Sequence, residues 1–517
     1  MLEKNKVFGG LTIPKLVFAL FILALAFRAE HRLHFRNLYL DTEVQLTAAH
    51  NWLEGKGLMY EVWNPEDPCT LTEIPLGKMM PGYVWLVSVF YLLIRDWLWA
   101  AYALDVLAIW AVLIAIKMIL RGLIKEPSPG EGLFWLFLAI SPAPFHYMAS
   151  NDLLGWAFFC WMCWAFLRAI KHKKRSLLVT TAVLSLCAGM VRYAYVPLMI
   201  LPMLFGALTY RVKVMEKKDW LFLSIIQTVA ILSVVLTKFF LTDSVNYLTE
   251  KEASWQFQHL LWTDPFPMKT FLYYGIPHLV SLSEIQSSLP YIVQVLSWVG
   301  SIGLVWMLWK FVSSSREVST HLFIEMALGC ALAVWIMLAY ASLMEAAQDW
   351  NLIYFWTYVM ETRYYAPAML FILVGVGVML KNGNPLQQNI LKGGLGLLLA
   401  AYIVIFVYQH HQIYRKDASG LSFLQQDKEN ILRKVKEAKQ ENAKVYVLTK
   451  EGEFFPAIAG GIVVPRDSAQ KLRYCEGIMI WYLAHNDSDQ DWIPDFYSDG
   501  KQIQLKHGMI GIYPLTP

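Results

Sequence analysis

Charge is scarce in this chain. Only 16% of its 517 residues are Asp, Glu, Lys or Arg, against about 25% in an average soluble domain, which argues against one large water-soluble core. The net charge is only +4, and because the excess sits in short loops it gives nucleic acid no extended basic surface. Cysteine is sparse as well. The six (Cys69, Cys160, Cys163, Cys187, Cys330 and Cys475) show no repeated spacing. Cys160 and Cys163 form a C-x-x-C, but inside an aromatic, apolar helical pattern that suits two small buried hydrophobes better than a redox or zinc site. There is no internal repeat and no low-complexity tract. The N-terminus lacks the small-residue exit site of a cleaved signal peptide, so residues 11–28 are expected to stay as an anchor.

Apolar and aromatic residues are abundant. Hydrophobic residues make up 57% of the chain, with 21 Trp, 26 Tyr and 28 Phe, and the mean hydropathy is +0.41. A span needs about 20 apolar residues, and flanking Lys and Arg mark the cytoplasmic side. Lys4, Lys6 and Lys15 put the N-terminus inside and residues 29–96 outside. Further spans are expected at 97–120, 132–145, 152–170, 180–195, 196–210, 221–241, 290–310, 321–343, 364–381 and 393–409. Lys171-His-Lys-Lys-Arg175 is the strongest inside marker among them. With the first, that is about eleven spans, an odd number that leaves the C-terminus outside. The expected architecture is an all-α polytopic membrane part, residues 1–409, followed by a small outer α/β domain, residues 410–517. In that domain residues 424–442 read as a charged helix, and 445–449, 461–464, 478–483 and 509–515 as strands.

The stretch from Tyr39 to Gly57 organises the rest. Asp41 and Glu43 stand where the chain leaves the first span. Val44, Leu46, Ala48, Ala49, Trp52 and Leu53 follow at helical spacing, and Gly55 ends the run. That pattern predicts a short amphipathic helix in the membrane surface with acids at its start. By local sequence alone, Asp41 reads first as a plain N-cap. A second half-apolar segment covers residues 81–94.

With this topology the other notable polar groups also fall outside. Lys78 lies in Pro75-Leu-Gly-Lys-Met-Met-Pro-Gly-Tyr83. Asn151 and Asp152 open a span after Ser-Pro-Ala-Pro, Arg192-Tyr193 closes another, and Glu361-Thr-Arg363-Tyr364 precedes a third. A carboxylate can deprotonate an acceptor hydroxyl while Lys and Arg hold a phosphate as it leaves. Each residue also has a plainer role. Asp152 suits an N-cap, and Lys78, Arg192 and Arg363 suit interfacial anchors. Asp105, inside a span, calls for a pairing partner such as an outer Arg. His146 with Asp152 would begin a metal site, but the spacing is too unspecific to assign a divalent ion.

Taken together, these motifs resemble the GT-C class of polytopic glycosyltransferases, on the branch of protein O-mannosyltransferases and aminoarabinose transferases. The resemblance rests on Asp41-x-Glu43 after span one, Pro81-Gly-Tyr83, Ser-Pro before Asn151-Asp152, Gly189-Met-Val-Arg-Tyr193 and Glu361-Thr-Arg-Tyr-Tyr-Ala-Pro367, in this order and on one side. It implies a polyprenyl-phosphate-linked sugar donor, a lipid, glycan or protein acceptor, and inverting transfer on the outer face of a membrane, bacterial cytoplasmic membranes being the expected setting. Asp41 would be the base, supported by Glu43, with Asp152 a second acid. Lys78, Arg192 and Arg363 would face the donor phosphate, and Tyr83, Asn151, Tyr193 and Tyr364 would line the cavity. The chain departs from the family pattern in having Met80-Pro81 where paired prolines are usual, and in its short tail.

Two other classes fit a polytopic chain. A transporter or flippase would show repeated halves or polar mid-membrane helices; the sequence shows neither, its ionisable groups clustering at one face with only Asp105, and Glu325 or Lys238, placed deeper. A non-catalytic scaffold of the same fold would keep the spans and lose the acids, whereas Asp41 and Asp152 are both here. The aromatic outer segment 242–288 suits a cover that excludes water from a site, or an interfacial belt.

Overall fold

The computed structural model describes residues 6–8, 11–34, 40–76, 79–124, 126–140, 150–211, 213–242, 366–415, 425–440, 443–449, 455–484, 501–504 and 508–515, with 303, 306, 307 and 310 singly. The chain divides into two compact units. A helical unit takes Met1–Arg32 and Asp105–Phe406, and a mixed unit takes Leu33–Leu104 and Val407–Pro517.

In chain order, β1 (Lys6–Phe8) and β2 (Leu11–Thr12) pair and lead into α1 (Ile13–His34) and α2 (Leu40–Leu53). Next come β3 (Met59–Trp63), β4 (Leu71–Pro75), α3 (Pro81–Ile94), α4 (Trp97–Leu123), α5 (Pro129–Ile140), α6 (Ser150–His172) and α7 (Arg175–Val191). Two 3-10 turns, Tyr193–Tyr195 and Pro197–Ile200, lead to α8 (Leu201–Arg211) and α9 (Lys217–Thr242). The later helices are α10 (Ala366–Asn382), α11 (Pro385–Arg415) and α12 (Gln425–Gln440), and the strands β5 (Val445–Thr449), β6 (Ile462–Pro465), β7 (Gly477–Ala484), β8 (Lys501–Gln504) and β9 (Gly508–Leu515) complete the chain.

Four helical stretches among the described residues are long and apolar enough to cross a membrane: Trp97–Leu123, Ser150–His172, Tyr193–Arg211 and Lys217–Leu241. Each coincides with an expected span. The expected spans at 11–28, 132–145, 180–195, 364–381 and 393–409 also fall on helices, namely α1, α5, α7, α10 and α11. Those at 290–310 and 321–343, and the segment 242–288, lie outside the described residues apart from single positions.

Small residues set the close approaches in the helical unit, where α6 packs on α7 and α7 on α9. A Cβ at Gly155 would lie 2.8 Å from the Tyr195 ring, and one at Gly189 would lie 2.7 Å from the Met199 sulfur. Glycine at both positions lets the 3-10 turns after α7 fold back onto the helices.

In the mixed unit a five-stranded sheet has the order β6-β5-β7-β9-β8, parallel across β6, β5 and β7 and antiparallel from β7 to β8. The strands expected at 445–449, 461–464, 478–483 and 509–515 are all in it; β8 was not foreseen. Gly511 pairs with Trp481, where a Cβ would sit 2.1 Å from the indole. The buried core of Tyr446, Leu448, Val464, Leu472, Met479 and Trp481 is joined by Trp63, Cys69 and Leu71 from the first loop.

That loop differs from the expectation in two ways. First, β3 and β4 form an antiparallel hairpin, Met59 opposite Pro75 and Trp63 opposite Leu71, where no strands were expected. Second, α2 does not lie on a surface with one face open. Residues 42–49 are all buried, including Thr42, Glu43, Gln45 and Thr47. It is covered by the nearby β3 and α3 and, from far along the chain, by the 3-10 helix Phe455–Ala459. No local periodicity reveals a lid contributed from 400 residues downstream.

Cys69 and Cys475 are joined by a disulfide across 406 residues of sequence, their Cα atoms 5.3 Å apart. Lys444 and Tyr446 also reach the carbonyl of Cys69, at 3.3 and 3.5 Å. Absence of repeated spacing did not mean absence of pairing. Of the six cysteines, these two are the ones that fall outside the expected spans, and that observation alone would have paired them. Replacing Cys69 or Cys475 by Ser is expected to destabilise the mixed unit by about 2–4 kcal/mol. The check is a lower thermal midpoint in detergent, with fragments of the proteolysed wild type held together on a gel until reductant is added.

Candidate functional site

The candidate residues fall into both units. Asn151, Asp152, Arg192 and Tyr193 belong to the helical unit, while Asp41, Glu43 and Tyr83 belong to the mixed unit. Lys78, Arg363, Tyr364 and His146 lie outside the described residues.

In the helical unit the sequence places two groups of residues 40 positions apart in contact. Asn151 and Asp152 stand in the first turn of α6, where a carboxylate is favoured by the helix dipole. Arg192 ends α7, its backbone extended (φ −148°, ψ 120°) and its N–H donating to the Ala188 carbonyl. From there its guanidinium forms an ion pair with Asp152 and donates to the side-chain amide oxygen Oδ1 of Asn151 at 3.5 Å. Both charged side chains are largely buried, at 11% and 2% exposure. The next residue, Tyr193, has the ammonium of the buried Lys238 5.7 Å from its ring centroid, a cation-π distance. Lys238 had not been given a role. Its depth in α9, three residues before the end of a span, is the signal that marks it.

A second buried pair lies in the same unit. Asp105 accepts hydrogen bonds from Arg32 Nε at 2.8 Å and Nη2 at 2.6 Å, both on one carboxylate oxygen. Asp105 thus has its partner on α1, as a charge inside a span requires. Arg28, one turn earlier, donates to the Leu138 carbonyl at 2.7 Å. Deeper in α4, Lys117 is enclosed by the rings of Phe21 and Trp135, at 4.6 and 5.2 Å, with Glu131 3.8 Å away.

In the mixed unit α2 begins at Leu40, which puts Asp41 and Glu43 both inside its first turn. Along a helix, residues two apart leave the axis about 200° apart and residues four apart only about 40° apart. Glu43 therefore faces away from Asp41. The residue that shares the face of Asp41 is Gln45, which is fully buried, and among the described residues neither atom of its carboxamide has a hydrogen-bond partner. Tyr83 is likewise buried, in the first turn of α3, the helix that packs on α2. Further along, His50 lies 3.0 Å from Glu54. Burial lowers the His50 pKa, so at neutral pH the ring is uncharged and donates its Nε2 proton to that carboxylate. A lowered folded pKa gives a contribution that is whole above the ordinary histidine value and is lost as the pH falls below it.

Among the described residues no group of three or more His, Cys, Asp or Glu side chains is placed to hold a metal ion. Cys160 and Cys163 are buried and unbridged, as two small hydrophobes would be.

Breaking a buried pair leaves one charge without its counter-charge, which typically costs about 3–5 kcal/mol, whereas replacing both partners by apolar residues costs far less. Asp105→Leu is accordingly expected to lower the thermal midpoint in detergent more than the double change Arg32→Met with Asp105→Leu does. A double-mutant cycle on the two positions measures the difference.

No family model and no curated protein matches the sequence. Among solved structures, the chain is similar to ArnT from Cupriavidus metallidurans bound to undecaprenyl phosphate, with 11% identity over 97% of both chains and a TM-score of 0.51. The archaeal oligosaccharyltransferase AglB from Archaeoglobus fulgidus, in complex with an inhibitory peptide and a dolichol-phosphate, matches 90% of this chain and 69% of its own at 11% identity and a TM-score of 0.47. In fold, the chain is similar to the polytopic glycosyltransferases of the GT-C class.

Proposed function

We propose that this protein is a membrane glycosyltransferase that moves a sugar from a polyprenyl-phosphate donor to an acceptor on the outer face of the membrane. The observation that carries the reading is the fold, shared along nearly the whole chain with ArnT, which was crystallised with undecaprenyl phosphate. About eleven spans, with the N-terminus inside and residues 410–517 outside, fit that fold and the flanking charges. The Cys69–Cys475 disulfide supports this sidedness. Disulfides persist in oxidising compartments, and the bond joins the loop after span one to the tail, the two segments assigned to the outside. A bacterial cytoplasmic membrane, with its oxidising outer face, is the setting we assign.

In the reaction the acceptor hydroxyl oxygen attacks the anomeric carbon from the face opposite the phosphate. The bond from that carbon to the phosphate oxygen breaks, its electron pair leaves with the polyprenyl phosphate, and the configuration inverts. The hydroxyl proton passes to Asp41. Glu43, buried on the other side of α2, holds the helix in position. Lys78, Arg192 and Arg363 stabilise the departing phosphate. Asp152 and Asn151 position Arg192; a guanidinium has five N–H donors, enough for both and for a phosphate oxygen. Tyr83, Asn151, Tyr193 and Tyr364 are assigned to contacts with the sugar. The acceptor is a lipid, a glycan or a protein.

Asp41→Asn tests the reading. Purified wild type and variant are incubated with undecaprenyl-phosphate-linked mannose, glucose and aminoarabinose in the presence of membrane extract as acceptor, and released undecaprenyl phosphate is measured. Wild type is expected to consume one donor, and the folded variant to turn over about 100- to 10,000-fold more slowly. Full turnover in the variant returns Asp41 to the part of a helix-start residue. No donor consumption by wild type across the panel removes the transferase reading and favours a transporter or scaffold.

A further inference from the structure

Gln45 is the residue of α2 whose state the fold alone does not explain. A primary amide has two N–H donors and a carbonyl acceptor. Burying them without partners costs the full desolvation of each group, and native proteins rarely leave such groups unmatched without a functional reason. Gln45 is fully buried, and among the described residues both its Oε1 and its Nε2 lack a hydrogen-bond partner. Its neighbours on the helix, Val44, Leu46, Ala48 and Ala49, are apolar and buried too. A leucine or methionine would fill the same space without the penalty.

Position gives the reason. Gln45 lies one helical turn after Asp41 on the same face, about 6 Å along the axis. That rise is close to the width of a sugar ring. A sugar whose anomeric carbon meets the oxygen held by Asp41 presents a ring hydroxyl at the level of Gln45. A hydroxyl both donates and accepts, and a carboxamide can answer with its N–H and its carbonyl together.

We propose that Gln45 reads a ring hydroxyl of the transferred sugar, and so sets which sugar the protein accepts. The inference rests on the transferase reading and on Asp41 facing the reacting oxygen. It assigns to Gln45 a binding role that its partner on the motif, Glu43, is turned away from fulfilling. In the absence of substrate the amide is destabilising, and the sugar supplies what it lacks.

The test uses the full-length protein, Gln45→Leu and the closer isostere Gln45→Met. The donor that wild type consumes is compared with the set of its monodeoxy analogues, each on undecaprenyl phosphate, by kcat/KM for release of undecaprenyl phosphate. Wild type is expected to reject one analogue by at least about tenfold, because a site built around a hydroxyl is left with unpaired groups when the hydroxyl is missing. In both variants that discrimination falls toward one, with kcat/KM for the parent donor down to the level of the deoxy compound. The thermal midpoint of Gln45→Met without donor stays at or above that of wild type, since the change removes unpartnered polar atoms. Discrimination unchanged in both variants, or a lower midpoint in Gln45→Met, overturns the inference and makes Gln45 a structural residue or the holder of a buried water only. If Gln45→Leu does not fold, Gln45→Met gives the same comparison. These failures differ from failure of the transferase reading, in which wild type consumes no donor and the inference falls with it.

Discussion

The covalent bond between Cys69 and Cys475 is the constraint on which the mixed unit depends. It fastens the loop after the first span to the C-terminal sheet, so that Trp63, Cys69 and Leu71 become part of the core under β5 and β7. Without the tail, the hairpin of β3 and β4 would be two short strands with little to bury, and such hairpins are marginal alone in water. The 3-10 helix Phe455–Ala459 would also be missing from the side of α2. The tail therefore acts as wall and cover for the helix that bears Asp41. A short tail domain suffices for that job, because the area it must cover is one helix of 14 residues.

Much of the architecture is legible in the sequence because the membrane imposes a simple rule. Backbone polar groups must be satisfied within the segment and about 20 apolar residues are needed to cross, so α4, α6 and α9 announce themselves by composition. The tail strands are equally plain, being short β-branched and aromatic runs between polar turns. What escapes is whatever depends on partners distant in sequence. Glu61 and Glu73, paired across the hairpin, break the alternation of its strands. In α2, Thr42, Gln45 and Thr47 are polar by residue type, yet elements up to 400 residues away help to bury them. Disulfide pairing escapes for the same reason when spacing is the criterion; compartment is the better one.

The candidate site shows a similar division. Asn151, Asp152 and Arg192 were legible singly, as polar residues at span ends. Their mutual contact follows from α6 and α7 being an antiparallel pair joined by a tight connection, which brings the start of one helix to the end of the next. The pairing also changes the chemistry available. An arginine already matched to an aspartate adds little net charge for a phosphate, but it holds its remaining donors in fixed directions. For a leaving group that gains charge during the reaction, fixed donors are worth more than loose ones, since they need no reorganisation as the bond breaks.

Asp41 and Glu43 illustrate how a motif read as text differs from one read as a helix. Two acids close together in a sequence pattern suggest a pair working on one substrate, as the two carboxylates of glycosidases do. A helix separates residues two apart by more than half a turn, and once α2 is helical from Leu40 onward that pairing is geometrically closed. The acid at Asp41 must then find its neighbour at the next turn, and the residue there is a glutamine whose amide is buried at a cost to the fold. A helix evolved only for stability would carry an apolar side chain at that position. On the proposed reading, a helix that holds a polar substrate beside a carboxylate has reason to keep the amide.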